Sequence, residues 1–190
     1  MKNIILFGKP GAGKGKQAEL LRDAFQLVHI STGDLFRYNI SNNTSLGALA
    51  KSYMDKGDLV PDELTIKMLE AEVDANPDVG GFIFDGFPRT AAQAEALDLF
   101  LHCKKLSIRA TIALEVDEEV LVNRLLSRGK DSGRSDDQDE NKIRNRFAEY
   151  NKKTAPLIDY YKSQNKFYSI RGEGTVAKIS KQLTSLLHSL

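Results

Sequence analysis

The chain has 190 residues, which is enough for one domain with a sizeable hydrophobic core. Hydrophobic residues make up 41% of it and charged residues 28%, and this composition excludes an intrinsically disordered chain. Lys and Arg together number 27 against 26 Asp and Glu, so the formal net charge of +1 argues against nucleic-acid binding through bulk charge, although it permits a local basic site.

Five short apolar runs predict β-strands, and helical patterns separate them along the chain. The first strand, Asn3–Phe7, ends at Gly8. The other strands are expected at residues 27–31, 80–86, 108–116 and 165–170, and helices at 13–25, 89–101, 117–128 and 141–162. This alternation predicts an α/β fold, a parallel sheet covered by helices on both faces. A ligand would bind beyond the carboxyl ends of the strands.

Three features depart from the simple alternation. Residues 32–79 contain no predicted strand, and Pro61 followed by two acidic residues indicates a helix start, so we expect a small helical insertion. Residues 128–140 are charged and poor in apolar residues, which fits either a solvated loop or a mobile lid. Pro156 should kink or restart the last long helix, because proline has no N–H to donate.

Nothing in the sequence predicts a membrane segment or a zinc site. The first apolar run is too short for a signal peptide or a membrane span, so we expect a cytoplasmic protein. The single cysteine, Cys103, rules out an internal disulfide and a multi-cysteine zinc site. The three histidines are scattered and show no metal-ligand spacing.

The stretch GKPGAGKGKQ, residues 8–17, follows the first strand and opens the first helix. Its Gly-x-x-x-x-Gly-Lys pattern is typical of a phosphate-binding loop, in which backbone N–H groups and the helix N-terminus converge on phosphate oxygens. Lys14 would supply a mobile positive charge to the outer phosphates. The sequence therefore predicts a nucleotide phosphate site at this loop.

Residue 15 is glycine, although P-loop NTPases commonly have Ser or Thr there as a Mg²⁺ ligand. Magnesium would then be held by waters, by phosphates and by a carboxylate from elsewhere in the chain. Asp85 is the natural candidate, because it ends an apolar strand and would face the same site. The alternative is that Asp85 only forms a turn before Gly86.

Arginines are frequent in the loops and helix ends expected around this site: Arg37, Arg89, Arg124, Arg128, Arg134, Arg144 and Arg146. Singly, each is typical of a solvated surface. Together they suit phosphoryl transfer, in which guanidinium groups stabilise charge on several phosphates. The residues alone thus indicate a nucleotide-dependent phosphotransferase with a second anionic substrate.

Five motifs, GKPGAGKGKQ, STGDLFR, KGDLVPDEL, FIFDGFPRT and TAPLIDYY, resemble the adenylate kinase family in order and spacing, over nearly the whole chain. The resemblance implies a P-loop three-layer fold with a five-stranded parallel sheet. Its core would comprise residues 1–31, 75–128 and 140–190, with a helical AMP-binding insertion at 32–74 and a short lid at 129–139. The implied enzyme is a monomer that transfers a phosphoryl group from Mg²⁺-bound ATP to AMP and gives two ADP.

The resemblance also implies roles for individual residues. Those implied to bind ATP are Pro10, Gly11, Ala12, Gly13, Lys14, Gly15, Lys16, Arg124, Arg128 and Gly174. Those implied to bind AMP are Thr32, Arg37, Gly57, Leu59, Val60, Gly86, Arg89, Gln93, Arg134 and Arg146, with Arg37 and Arg89 on the phosphate and Gln93 on the base edge. The implied catalytic set is Lys14, Asp85, Arg89, Arg124, Arg134 and Arg146.

The lid region leaves one assignment open. Arg134 resembles the family's lid arginine, and Asp136 and Asp137 resemble the carboxylates beside it. The following segment is one residue longer than usual, so Arg144 is an alternative to Arg146. The lid has no cysteine tetrad, which resembles the short form without zinc.

Two other functions compete with this interpretation. A UMP/CMP kinase would have the same fold and reaction with a different base pocket. The family resemblance implies that Thr32 and Thr90 favour AMP. A nucleotide-binding regulatory protein with weakened catalysis is suggested only by Lys16, because the family usually has Thr there. The N–H of Lys16 can still contact phosphate. Its side chain either adds a second cation near the ATP phosphates, which we favour, or points into solvent.

Overall fold

Five parallel strands form one sheet in the computed structural model, which describes residues 1–190. The strands are Asn3–Phe7 (β1), Val28–Ser31 (β2), Phe82–Asp85 (β3), Ile108–Glu115 (β4) and Phe167–Arg171 (β5). Their order across the sheet is β2-β3-β1-β4-β5, and every neighbouring pair is parallel. The five-stranded parallel α/β fold predicted from the sequence is therefore confirmed.

Nine α-helices surround the sheet. They are Lys14–Phe25 (α1), Thr32–Ser41 (α2), Ser45–Met54 (α3), Asp62–Asp74 (α4), Ala91–Cys103 (α5), Glu118–Ser132 (α6), Glu140–Glu149 (α7), Leu157–Ser163 (α8) and Val176–Ser189 (α9). Side-chain oxygens cap several of them: the hydroxyls of Thr90 and Thr175 each accept a hydrogen bond from the N–H three residues on. None of these helices combines the length and the apolar character needed to cross a membrane.

Alternate residues of β1 bury on opposite faces of the sheet, as the pleat of a strand requires. Ile4 and Leu6 join a cluster with residues of α1, α6, α7 and α9. Ile5 and Phe7 join a second cluster with residues of α4, α5 and α8. Helices therefore cover both faces, and this packing fixes the carboxyl ends of the strands at one edge of the molecule.

The region between β2 and β3 is a helical insertion made of α2, α3 and α4, as expected. The acidic residues Asp62 and Glu63 lie in the first turn of α4, directly after Pro61. Phe36, Ala50 and Val60 form a small apolar cluster separate from the two main ones. The insertion thus has a hydrophobic centre of its own.

The charged segment at residues 128–140 contains helical structure, although most of its residues are exposed. Helix α6 continues to Ser132, and Ser135–Asp137 form a single 3₁₀ turn. Asp137 is fully buried. Ion pairs with arginines, rather than apolar contacts, hold this polar segment against the rest of the protein.

Pro156 restarts the last long helix, as predicted. Helix α7 passes into a wider π-helical turn at Tyr150–Thr154, and α8 begins at Leu157. The start of β5 was predicted two residues too early, because Asn165 has a left-handed backbone with φ of 57° and belongs to the turn after α8.

Leu97 offers a test of the packing on the α5 side of the sheet. It is 1% exposed, and Leu97→Ala should lower the free energy of unfolding by about 2–5 kcal/mol, because truncation leaves a cavity in a core that relaxes only partly. Urea unfolding followed by circular dichroism would measure this loss. Leu99→Ala on the same helix is the control: Leu99 is 66% exposed, and its loss should stay within about 0.5 kcal/mol. Equal losses in the two variants would contradict the packing described.

Candidate active site

A cavity of about 370 Å³ lies where the carboxyl ends of β1, β2 and β3 meet. Gly8, Ser31 and Asp85, from the ends of these three strands, contribute to its wall. A smaller cavity of about 50 Å³ adjoins it and shares Leu59 and Arg89 with it. We call these the main cavity and the side cavity. Their position is the one expected for a ligand in a parallel α/β fold.

The glycine-rich loop between β1 and α1 lines the main cavity. Gly13, the N-cap of α1, has φ of 93°, a left-handed conformation that glycine adopts without strain. The first intrahelical hydrogen bond runs from the N–H of Gln17 to the oxygen of Gly13, at 3.1 Å. The N–H groups of residues 14–16 therefore have no partner within the helix and are free for an anion.

Lys14 is held at the base of this loop. Its Nζ donates to the backbone oxygen of Gly8 at 2.7 Å and to that of Lys9 at 3.3 Å. Burial lowers the pKa of the Lys14 ammonium to about 8, although the carboxylate of Asp85 opposes this shift. A phosphate beside the ammonium would replace its lost hydration.

Asp85 presents an ionised carboxylate to the start of α1. Its Oδ2 lies 3.5 Å from Nε2 of His29, and both side chains are 12% exposed. Burial alone would raise the pKa of Asp85, but the contact with His29 and the charge of Lys14 outweigh it and hold the pKa below its usual value. A Cβ on Gly15 would come within 3.7 Å of Oδ2, so this carboxylate faces the open end of the helix.

Five of the predicted arginines line the main cavity: Arg37, Arg89, Arg128, Arg134 and Arg146. Arg89 is the most constrained of them, and its Nε donates to the oxygen of Gly86 at 2.7 Å. Burial, followed by the charge of Arg146, lowers the pKa of Arg89 to about 10. Guanidinium groups gathered this closely repel one another unless an anion enters.

Carboxylates on the lid and on α2 hold these arginines in place. Asp137 accepts from Nε of Arg128 at 2.7 Å and from Nη1 of Arg146 at 2.8 Å. Burial opposes ionisation of Asp137, but these hydrogen bonds keep its pKa below the usual value. Asp34, which the sequence did not single out, accepts from Nη2 of Arg37 at 2.5 Å and lies 3.7 Å from Nη2 of Arg134.

Some predicted ATP ligands lie outside both cavities. Ala12 is buried beneath the loop, in the cluster under α1. Arg124 and Gly174 line neither cavity, and Arg124 contributes to the field around Glu173, the neighbour of Gly174. Arg124 is therefore close enough to the turn at Glu173 and Gly174 for its charge to be felt there. The remaining loop residues predicted for ATP, Pro10, Gly11, Gly13, Lys14, Gly15 and Lys16, do line the main cavity.

The structure distinguishes Arg146 from Arg144. Arg146 lines the main cavity, and its side chain is 19% exposed. Arg144 lies on the surface of α7, where it bonds Glu140 at 2.8 Å and Glu119 at 3.1 Å. Arg146 is thus the residue positioned for a ligand.

The side cavity brings together several residues predicted for AMP, and Gln93 lies in its wall. The side-chain oxygen of Gln93 accepts from the N–H of Arg89 at 2.7 Å, and its Nε2 donates to Oδ1 of Asp62 at 2.7 Å. Sequence reasoning missed Asp62, which also accepts from the hydroxyl of Thr90 at 2.7 Å. Apolar side chains of the wall, among them Leu59 and Val60, beside polar groups that are fixed in position suit a nucleobase. The other predicted residues in this wall are Thr32, Leu59, Val60, Gly86 and Arg89.

The lid touches the helical insertion across the main cavity. Ser135 donates its hydroxyl to Oδ1 of Asp55 at 2.9 Å, and Asn145 of α7 donates to the oxygen of Lys56 at 2.9 Å. Gly57 packs tightly there, because a Cβ on it would meet the oxygen of Lys142 at 3.0 Å. These contacts close one side of the cavity.

Comparison with known proteins agrees with this geometry. The family model described as Adenylate kinase matches residues 6–166. This chain belongs to the adenylate kinase family. Among its relatives, the adenylate kinase of Flavobacterium psychrophilum is 63% identical over 190 residues and that of Flavobacterium johnsoniae 60%, each over the whole of both chains. The adenylate kinase of Corynebacterium urealyticum is 49% identical over 178 residues, which is 94% of each chain.

Family membership confirms the prediction made from the five motifs. The chain is a kinase of the P-loop type, an enzyme that transfers phosphoryl groups. The close relatives, all named adenylate kinase, support transfer between ATP and AMP. They give no support to a UMP/CMP kinase or to a regulatory protein with weakened catalysis.

The lowered pKa of Lys14 predicts a measurable proton uptake. At about pH 8.5 much of Lys14 is uncharged in the empty site, since its pKa is about 8; the negative charge of ATP should raise this pKa and draw a proton onto the amine. Calorimetric titration with ATP, in buffers that differ in ionisation heat, should show this uptake, and ATP affinity should fall as pH rises through about 8. Lys14→Arg, which stays charged, is the control. Equal uptake in that variant would contradict the assignment.

Proposed function

We propose that this protein catalyses reversible, Mg²⁺-dependent phosphoryl transfer from ATP to AMP, giving two ADP, and that the phosphates of both nucleotides meet in the main cavity. The observation that carries the proposal is the convergence of cations from separate elements on that one cavity. Its wall contains seven Lys and Arg side chains against four Asp and Glu. An excess of positive charge of this kind suits two polyanionic substrates.

On the ATP side, the free N–H groups of residues 14–16 and the ammonium of Lys14 would bind the triphosphate. Arg128 would add charge at its outer end from α6, while Arg134 and Arg146, which the resemblance assigns to AMP, line the same cavity. The charge of Arg124 acts on Glu173, the neighbour of Gly174, and this supports a place for the adenine of ATP near Arg124 and Gly174, outside the main cavity.

On the AMP side, Arg37 and Arg89 would bind the phosphate, since both line the main cavity. The adenine would occupy the side cavity, bordered by Leu59 and Val60. Gln93 would read the base edge, and its hydrogen bonds to Asp62 and to the N–H of Arg89 fix the orientation of its amide. Thr32, Gly57 and Gly86 would border the nucleoside.

The transfer itself needs no covalent enzyme intermediate. An oxygen of the AMP phosphate forms a bond to the γ-phosphorus of ATP as the bond to the bridging oxygen breaks, and the electron pair leaves on ADP. The chain's part is to align the two phosphates and to neutralise their charge through Lys14 and the arginines. Closure of the lid over the insertion would exclude water, which would otherwise take the phosphoryl group.

Asp85 fits a place in a magnesium shell. It is an ionised carboxylate that faces the open end of α1, and no group of three or more His, Cys, Asp or Glu side chains could hold a metal ion alone. Magnesium in such sites depends on phosphates and waters, with one or two carboxylates. When bound with ATP, the ion would neutralise phosphate charge, and Asp85 would hold one side of its hydration shell.

We further propose that residues 32–74 and 129–139 move as an AMP-binding insertion and a lid against the core, at 1–31, 75–128 and 140–190. The separate apolar cluster of the insertion supports this division. Membership of the family supports a cytoplasmic enzyme, and we expect a monomer that uses no nucleic acid or membrane partner.

Nucleotide specificity is the direct test of the function. With Mg·ATP as donor, a coupled assay of ADP formation should give a far higher kcat/KM for AMP than for CMP or UMP, because the base is read by polar groups that are fixed in position. Equal use of UMP would overturn the base assignment. No turnover with any monophosphate would favour the non-catalytic alternative.

Lys14→Ala tests the role of the loop lysine. Turnover should fall by orders of magnitude, since a buried ammonium on the transferring phosphates is lost. Lys67→Ala, which removes an exposed ammonium from α4, is the control and should leave turnover unchanged. A decrease below about tenfold for Lys14→Ala, or about 1.4 kcal/mol in the activation free energy, would refute a central role for this residue.

A further inference from the structure

Glu19 lies in the wall of the main cavity, where a carboxylate opposes the binding of a polyphosphate. It is three residues after Lys16 on α1, so the two side chains share one face of the helix. Oε2 of Glu19 lies 3.0 Å from Nζ of Lys16, and both side chains line the cavity. This ion pair explains how the cavity accommodates Glu19 when no anion is present.

The pair is well placed to be broken by a ligand. The side chains of Lys16 and Glu19 are 60% and 50% exposed, and ion pairs this exposed contribute little to stability. Lys16 is the third residue of α1, and its backbone N–H is one of those at the helix start that have no partner within the helix. Its flexible four-carbon stem allows Nζ to approach an anion bound at the same N–H groups. Lys14, in contrast, is fixed by the oxygen of Gly8.

We propose that Glu19 is a positioning residue that holds the Lys16 ammonium in the empty site and yields it to the ATP phosphates. Glu19 and ATP then compete for one cation, and this competition sets the affinity for ATP. The inference rests on the proposed ATP site, and it adds a residue to which neither the motifs nor the related proteins gave a role. AMP should be affected less than ATP: both side chains line the main cavity, but they lie at the start of α1 on the proposed ATP side, and neither lines the side cavity proposed for the base of AMP.

A static ion pair is the alternative that the experiment must exclude. In that case Lys16 stays on Glu19 when ATP binds and only cancels its charge. Both mechanisms predict that Lys16→Met weakens ATP binding and that Glu19→Gln strengthens it. They differ for the double variant. If the pair is static, the double variant replaces a pair without net charge by two neutral side chains, and its ATP affinity should equal that of the parent.

The experiment is calorimetric titration of ATP into the parent, Lys16→Met, Glu19→Gln and the double variant. We expect Glu19→Gln to bind ATP about three- to tenfold more tightly and Lys16→Met about tenfold more weakly. The double variant should bind about threefold or more weakly than the parent, because the contact from Lys16 to phosphate is lost. The salt dependence of ATP binding should also become less steep in Lys16→Met, since one ionic contact is gone.

Two controls distinguish this mechanism from a general effect of the substitutions on the structure. Lys67→Met removes a similarly exposed ammonium that is paired with Glu63 on α4, and ATP affinity should not change. The KM for AMP should change less than the affinity for ATP in all three variants, because Lys16 and Glu19 lie at the start of α1, on the proposed ATP side of the main cavity.

Parental affinity in the double variant would overturn the proposal, as would unchanged affinity in Lys16→Met. The function is judged separately, by whether the parent phosphorylates AMP. A parent that turns over AMP but shows no effect of Lys16 or Glu19 would refute only this inference. If the four proteins rank in ATP affinity as predicted but the parent does not phosphorylate AMP, only the proposed reaction is refuted.

Discussion

Repulsion among positive side chains in one partly buried cavity is the constraint on which this site depends. The cavity wall contains five arginines and two lysines, and burial lowers the pKa of Lys14 to about 8 and that of Arg89 to about 10. Cations that have lost hydration in this way raise the free energy of the empty site. A polyphosphate relieves that repulsion when it binds, so the same charges that destabilise the empty site provide affinity and transition-state stabilisation.

Three carboxylates offset part of this repulsion, and each belongs to a different part of the fold. Asp85 ends β3 in the core, Asp34 lies on α2 of the insertion, and Asp137 lies in the lid. Each has a lowered pKa, because its cationic neighbours outweigh the effect of burial. Asp34 contacts Arg37 of the insertion and lies 3.7 Å from Arg134 of the segment at residues 129–139. Phosphates that enter the cavity therefore meet arginines already oriented by carboxylates, and little reorganisation is needed.

The sequence predicted the frame of the fold well, because hydrophobic periodicity and glycine position are local signals. The strands, the phosphate-binding loop and the restart at Pro156 all depend on residues close together in the chain. Two of the residues that it missed depend instead on partners far along the chain. Asp62 bonds Gln93 across 31 positions, and Asp55 bonds Ser135 across 80. A surface-type acidic residue gives no local sign that such a partner exists, so only the tertiary arrangement could assign it.

The choice between Arg144 and Arg146 also depended on the tertiary arrangement. Both follow the charged segment, and the motif resemblance favoured Arg146 but left Arg144 as an alternative. In a helix two residues are separated by roughly 200° around the axis, so only one of the pair could face the cavity. Ile143 and Phe147 on α7 pack into the core, and Arg144 and Arg146 flank that buried face on opposite sides, each about 80° from its centre. The apolar pattern of α7 alone therefore cannot choose between them, and only the tertiary arrangement shows which flank of the helix borders the cavity.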